Sequence, residues 1–259
     1  MRISLLQMTI VEKDKLANVK KGLTLLEEAA SYSDIIVMPE IWTTGYSLGQ
    51  LQEKADEPNG ELLTHIKEIA VQYNCNIVAG SLPMKLKDKI YNTAPAINKK
   101  GEIVDLYSKI HLFGMFKEER FFSAGNQHEV YELDGVPCAS TICYDLRFPE
   151  LYRSLALKGA KIIFVPAEWP ESRGNVWKLL LQARAVENQI YICGVNCVGS
   201  FKENTFYGHS MLVAPNGEIL TEGSQREQIL TAEIDLSLVE QMRKTLNALD
   251  DVRSELFIR

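Results

Sequence analysis

"GVPCASTICYDLRFPELYRSLALKGAKIIFVPAEWP", residues 135–170, is the stretch on which the fold class turns. Residues 135–143 form an uncharged run that reads as a strand. Residues 149–158 read as a short helix, and 160–170 as a second strand. Continuous apolar runs of this kind, ended by a charge or a turn, belong to strands covered on both faces. The first strand ends in Cys143, where apolar residues give way to charge, an aromatic and a proline. A lone cysteine at such a point is either a small core residue or a nucleophile presented by the strand end.

The same alternation extends outward. Toward the N-terminus the pattern predicts a strand at 3–7 and a helix at 14–33, with Leu16, Val19, Leu23, Leu26, Ala29 and Ala30 at helical spacing. A strand at 34–40, a helix at 61–73 and a strand at 76–83 follow. Residues 90–112 read as two strands around a Lys-Lys-Gly turn. Beyond residue 170 come a helix at 176–188, a strand at 190–199 and a hairpin at 208–223 turning at Asn216-Gly217. A strand at 227–234 and a helix at 235–246 end the pattern. There is no linker, repeat or low-complexity segment. The expectation is one α/β domain over 1–259 with mixed sheets and helices outside; two sheets face to face would fit, though periodicity alone does not establish that arrangement.

Lys plus Arg number 28 and Asp plus Glu 34 in 259 residues, a formal charge of −6. That balance argues against a general nucleic-acid binder, which needs a basic face. The five cysteines, at 75, 138, 143, 193 and 197, form no regular framework and suit free thiols in a reducing compartment. Cys193 and Cys197 would share a strand face, as buried small residues rather than metal ligands. The first residues lack a signal-peptide core, and no apolar run reaches the ~20 residues of a membrane span. A cytoplasmic protein is expected, with no nucleic-acid or membrane partner.

Sites in α/β sheets form beyond the carboxyl ends of strands. Three predicted strands end in reactive groups: Glu40 after IIVMP, Lys109 after IVDLYS, and Cys143 after CASTI. A carboxylate, an ammonium and a thiol are the parts of a covalent acyl-transfer site. Taken singly, each has a plainer reading as a solvated strand end or core residue. The serine-elbow, P-loop, dinucleotide-binding and HExxH motifs are absent. A Cys–His thiol hydrolase using His111 or His209 stays open on chemistry alone.

Three segments in order, "VMPEIWTTGY" (37–46), "YSKIHLF" (107–113) and "TICYDLRFPE" (141–150), resemble the nitrilase superfamily of carbon–nitrogen hydrolases. "LLLQARAVENQIYICGVNCVG" (179–199) and "GHSMLVAPNGEIL" (208–220) resemble its later segments, so the similarity covers nearly the whole chain. The resemblance implies a four-layer α-β-β-α sandwich, pairing into homodimers through helical faces, with residues 247–259 packing across the dimer. It implies a Glu40–Lys109–Cys143 triad and a second glutamate ahead of an Ala-Gly pair. "FKEERFFSAGN" offers Glu118 and Glu119, and counting back from Gly125 favours Glu118. Glu40 would act as base, Lys109 would favour the thiolate, and Lys109 with the backbone N–H of Tyr144 would hold the oxyanion. No metal or organic cofactor is required.

"YDLRFPE" and "PAEWPESR" resemble the small-amide branch, the omega-amidases of 2-oxo acid amides such as 2-oxoglutaramate. Arg147 or Arg173, helped by His111, would bind the far carboxylate as a fork. Tyr46, Phe116, Phe148 and Trp169 would wall an apolar slot. Position 168 departs from the pattern, with Glu where relatives carry a small or amide residue. An unpaired acid there would repel an anionic substrate and suit an amine-bearing one, as in N-carbamoyl-amine hydrolysis. Deaminated-glutathione amidase is a further alternative, and nitrile cleavage fits less well. A non-catalytic binding subunit of the same fold is the alternative of another class.

Overall fold

The computed structural model describes residues 1–257. In the first sheet β1 (Arg2–Gln7), β2 (Ile35–Val37) and β3 (Asn76–Val78) run parallel. β4 (Leu82–Leu86), β5 (Lys89–Ile97) and β6 (Ile103–Ser108) continue it antiparallel, with β5 beside β3. The strand Gln228–Glu233 closes the other edge against β1. The second sheet orders β7 (Tyr131–Leu133), β8 (Val136–Ser140), β9 (Ile162–Ala167) and β10 (Tyr191–Asn196) side by side. β8, β9 and β10 are parallel, and the hairpin Met211–Val213 with Ile219–Glu222 adds to β10.

Strand alternation sorts the apolar residues into three cores. Ile3 and Leu5 of β1 meet Ile162, Phe164, Cys193 and Val195 of the second sheet in an inter-sheet core. Leu6, on the opposite face of β1, packs with Leu26 and Ala29 of helix Lys15–Ala30 and with Leu63 and Ile66 of helix Glu61–Tyr73. Ile163 and Val165 of β9 pack under helices Pro149–Leu157 and Gly174–Asn188, with Leu155, Trp177 and Leu181. Helix, sheet, sheet, helix is the resulting order, as expected.

The helix Lys15–Ala30 begins where the Asp14 carboxylate accepts the Ala17 N–H at 2.9 Å. Asp14→Ala is expected to cost about 1 kcal/mol, the usual value of such a cap, read as a lower urea midpoint at unchanged slope. Leu16 obeys the helical spacing yet is 81% exposed, because it falls on the solvent side of the buried stripe.

Several strands are shorter than expected, and the breaks shape the site. The run 34–40 is strand only at Ile35–Val37; Pro39 has no N–H for a ladder and turns the chain toward Glu40. The run 76–83 breaks into β3 and β4 at Gly80, whose φ is +64°. A Cβ there would stand 2.1 Å from the Pro39 carbonyl, so only glycine fits beside the Glu40 segment. β7, which escapes the pattern reading, pairs with β8 through a turn at Asp134-Gly135. Cys193 lies in the inter-sheet core but Cys197, past the end of β10, joins the core under the first sheet's helices. The two do not share a face. Leu249 is buried against this chain's own second-sheet helices, so the segment from 247 begins by packing on its own chain. Residues 258 and 259 of the expected dimer-packing tail lie outside the described residues.

Candidate active site

β2, β6, β8 and β9 point their carboxyl ends at one place between the sheets. β2 leads to Glu40, β6 to Lys109, β8 to Cys143 and β9 to Glu168. The Lys109 ammonium donates to Glu40 Oε1 and to Glu118 Oε1, at 2.8 Å each. All three side chains are fully buried. Glu40 Oε1 also accepts from Asn92 Nδ2 at 2.9 Å, and its Oε2 accepts the Glu168 N–H at 2.9 Å. Glu118 accepts from the Tyr46 hydroxyl at 2.8 Å and from the Phe113 N–H at 2.9 Å. A charge this deeply buried survives only when its partners are this complete. The two carboxylates hold Lys109 charged against the cost of burial. Burial pushes the Glu118 carboxyl up, against the pull of Lys109.

Gly125 fixes the lysine from behind. Its N–H donates to the Lys109 carbonyl at 2.8 Å, and a Cβ there would stand 2.0 Å from the Ser108 carbonyl. Glu118 is fully buried, whereas Glu119 is exposed, so the second glutamate at the site is Glu118.

Cys143 opens the 3₁₀ turn Cys143–Arg147 with φ at +45°, a conformation that costs a non-glycine residue about 1–3 kcal/mol. Asp145 holds that turn. Its carboxylate accepts the Ile142 N–H at 3.0 Å, the Tyr107 hydroxyl at 2.7 Å and the His111 N–H at 3.0 Å. The Tyr144 N–H, in the first turn of this short helix, meets no acceptor within the described chain. Burial, together with the nearby Glu40 charge, raises the pKa of the Cys143 thiol well above the ordinary value. Lys109 pulls the other way without prevailing. Of the neighbouring groups Lys109 favours the thiolate, the direction the sequence reading assigned it, whereas burial and Glu40 favour the protonated thiol.

Cys143 lines a narrow pocket with Phe113, Tyr144, Arg147, Glu168, Trp169, Pro170 and Arg173. Its cavity volume is only about 20 Å³, far below the ~300–1,000 Å³ of drug-sized sites. A family model described as carbon-nitrogen hydrolase matches residues 2–244 of the chain.

The chain belongs to the carbon–nitrogen hydrolase family. It is similar to 2-oxoglutaramate amidase from Bacillus subtilis (strain 168), 41% identical over 98% of both chains. Among solved structures it is similar to Saccharomyces cerevisiae Nit3, a member of branch 10 of the nitrilase superfamily. That match has a TM-score of 0.88, 29% identity, and covers 95% of this chain and 94% of the other. It also matches a mutant amidase from Nesterenkonia sp. AN1, with a TM-score of 0.86 and 27% identity over 99% and 95% of the two chains. That structure shows the acetamide moiety of fluoroacetamide added covalently at the active-site cysteine. The chain is thus a hydrolase of non-peptide carbon–nitrogen bonds with the nitrilase fold.

In this carbon–nitrogen hydrolase the expected substrate-binding residues separate into two groups. Arg147, Trp169 and Arg173 line the pocket. The Arg147 guanidinium lies 5.0 Å from the Trp169 ring and that of Arg173 lies 5.9 Å from Phe113. Neither forms an ion pair with an acid among the described residues. Tyr46, His111 and Phe116 do not line it. Tyr46 is a partner of Glu118 and packs on Phe116 at 4.6 Å, beside a separate, wider groove. His111 donates from Nδ1 to Asp145 at 2.8 Å and stacks on Phe148 at 3.5 Å. His209 is paired with Glu222 and stacked on Tyr207. With no histidine ring in the Cys143 pocket, a Cys–His hydrolase has no base. Asn92, Phe113 and Asp145 are site residues that sequence reasoning missed. Asp145 alone carried a signal, a polar residue two past the cysteine.

Proposed function

We propose that this hydrolase is an omega-amidase, cleaving the amide of 2-oxo acid amides such as 2-oxoglutaramate through a thioester on Cys143. The observation that carries the reading is one pocket lined by the Cys143 thiol and by two guanidiniums, Arg147 and Arg173, that pair with no acid among the described residues. The full-length similarity to the 2-oxoglutaramate amidase of Bacillus subtilis supports the same substrate class.

The proposed chemistry runs in two halves. Glu40 takes the Cys143 proton as sulfur attacks the amide carbon, so thiolate forms only with substrate bound. The oxyanion is held by Lys109 and the Tyr144 N–H, donors already in place before charge develops. Glu40 returns its proton to the leaving nitrogen, and ammonia departs as the C–N bond breaks. Glu40 then deprotonates water, which attacks the thioester; the acid leaves and the proton returns to sulfur. Glu118 holds the Lys109 ammonium in line throughout. The far carboxylate of the substrate pairs with Arg147 or Arg173.

Arg147→Ala is expected to raise KM for 2-oxoglutaramate at least about tenfold, the cost of one charge-assisted hydrogen bond. The uncharged butyramide should change little. Ammonia release from both substrates, measured side by side, checks this. An equal loss on both would mean that Arg147 supports the pocket rather than the carboxylate.

The proposed assembly is a homodimer through the helical layer beside the second sheet. Leu179 and Val186 lie exposed two turns apart on one helix, with Leu157 exposed on its neighbour. Sedimentation velocity reads the outcome directly.

A further inference from the structure

Glu168 is the one acid in the pocket wall that the chemistry above does not use. It is 1% exposed, lines the pocket with Cys143, and neither of its carboxyl oxygens meets a donor among the described residues. A buried carboxylate without donors is costly by several kcal/mol, and such a group takes up a proton instead. Arg147 and Arg173 line the same pocket, and an ionised Glu168 would be drawn to their forked donors. Instead Arg147 lies over Trp169, while Arg173 faces Phe113 and Met115.

We propose that Glu168 works as an uncharged carboxylic acid in the pocket wall. It donates a hydrogen bond to an acceptor oxygen of the substrate, and its neutrality makes the pocket select carboxylate-bearing over amine-bearing amides. The proposal rests on the omega-amidase reading for the substrate and on the geometry of Glu168 for its charge.

The surroundings of Glu168 act in the same direction. Burial is the largest influence on its carboxyl, followed by the Glu40 charge, and both raise its pKa well above the ordinary value. Glu40 sits against the backbone of Glu168 itself, at 2.9 Å from its N–H. Glu118 and Glu12 add repulsion, and Lys109, the one opposing cation among these influences, already bonds to Glu40 and Glu118. The neighbouring sulfurs, Cys143 and Cys197, both have raised pKa values and stay neutral thiols. A second negative charge here would face Glu40 across a dry wall, whereas an O–H needs only one acceptor. A neutral buried carboxyl can serve as a donor at ordinary pH. A neutral acid at position 168 neither pairs nor repels, and so does not oppose an anionic substrate.

Three amides of matched size separate the cases: anionic succinamate, neutral butyramide and cationic 4-aminobutyramide. Wild type, Glu168→Gln and Glu168→Ala are compared by kcat and KM, with the infrared carbonyl stretch of a protonated carboxyl read on wild type and E168Q. Wild type is expected to favour succinamate over 4-aminobutyramide. E168Q, which keeps a weaker donor, should raise KM threefold or more for succinamate and butyramide alike. E168A should raise both further, by tenfold or more. The protonated-carboxyl band of wild type should be lost in E168Q. A fall in KM for succinamate in E168Q, a wild-type preference for 4-aminobutyramide, or no difference in that band overturns the proposal. Turnover of butyramide but of no anionic amide, lost in Cys143→Ala, sinks the omega-amidase reading and the selectivity claim. The infrared band then decides the charge of Glu168 by itself.

Discussion

Lys109→Met is expected to fail twice, in turnover and in stability. Lys109 is the shared cation of Glu40 and Glu118, each 2.8 Å away and all fully buried. Without it two carboxyls face each other in a dry site. Breaking a buried charge cluster from one side costs about 3–5 kcal/mol, visible as a large drop in the denaturant midpoint. Turnover should fall by at least about 10²–10³-fold, the usual cost of one oxyanion donor. The stability loss has a defined pH dependence. Carboxyls that repel in the folded chain have pKa values above those of the unfolded chain. The folded state of the variant then binds more protons than the unfolded state, so its stability rises as pH falls and drops as pH rises through the raised values. Urea melts of wild type and variant across mildly acidic to neutral pH should converge at the acidic end. A constant gap would mean that Glu40 and Glu118 do not repel.

Glu40→Gln is expected to lower amide turnover by roughly 10²–10⁴-fold, the range for loss of a general base. The resting thiol is held protonated by burial and by Glu40 itself, so attack requires a base at the moment of reaction. Glutamine keeps the shape and can still accept from Lys109 and Asn92, but it cannot take the proton. Rapid-quench ammonia measurements should show no burst in the variant. A normal burst followed by slow steady turnover would place Glu40 in thioester hydrolysis alone and contradict its role in acylation.

How much of this was legible in the sequence follows from what each residue depends on. Glu40, Lys109 and Cys143 each follow an apolar strand, and strand ends are read from local pattern. Glu118 was reachable only through the family resemblance, by counting back from Gly125; nothing in the local pattern separates it from Glu119, and burial decides between them. Tyr46 and His111 were misplaced because their partners are distant in the chain: Glu118 is 72 residues from Tyr46, and Asp145 is 34 from His111. Periodicity carries no information about such pairs. Alternating strands and helices showed an α/β domain, but the four-layer order came from the family resemblance, because periodicity does not say which sheets face each other; β7, three residues long, has too short a pattern to stand out. Glu168 could be seen as a departure, but its lack of any donor is a property of the folded pocket.

The central claim is a thioester at Cys143, and its most direct test is rapid-quench mass spectrometry of the enzyme mixed with 2-oxoglutaramate. The account predicts one acyl group on the Cys143 peptide, appearing with one equivalent of ammonia and absent from Cys143→Ala. Ammonia release from the Cys143→Ala variant at the wild-type rate, or turnover with the Cys143 peptide never modified, would contradict it.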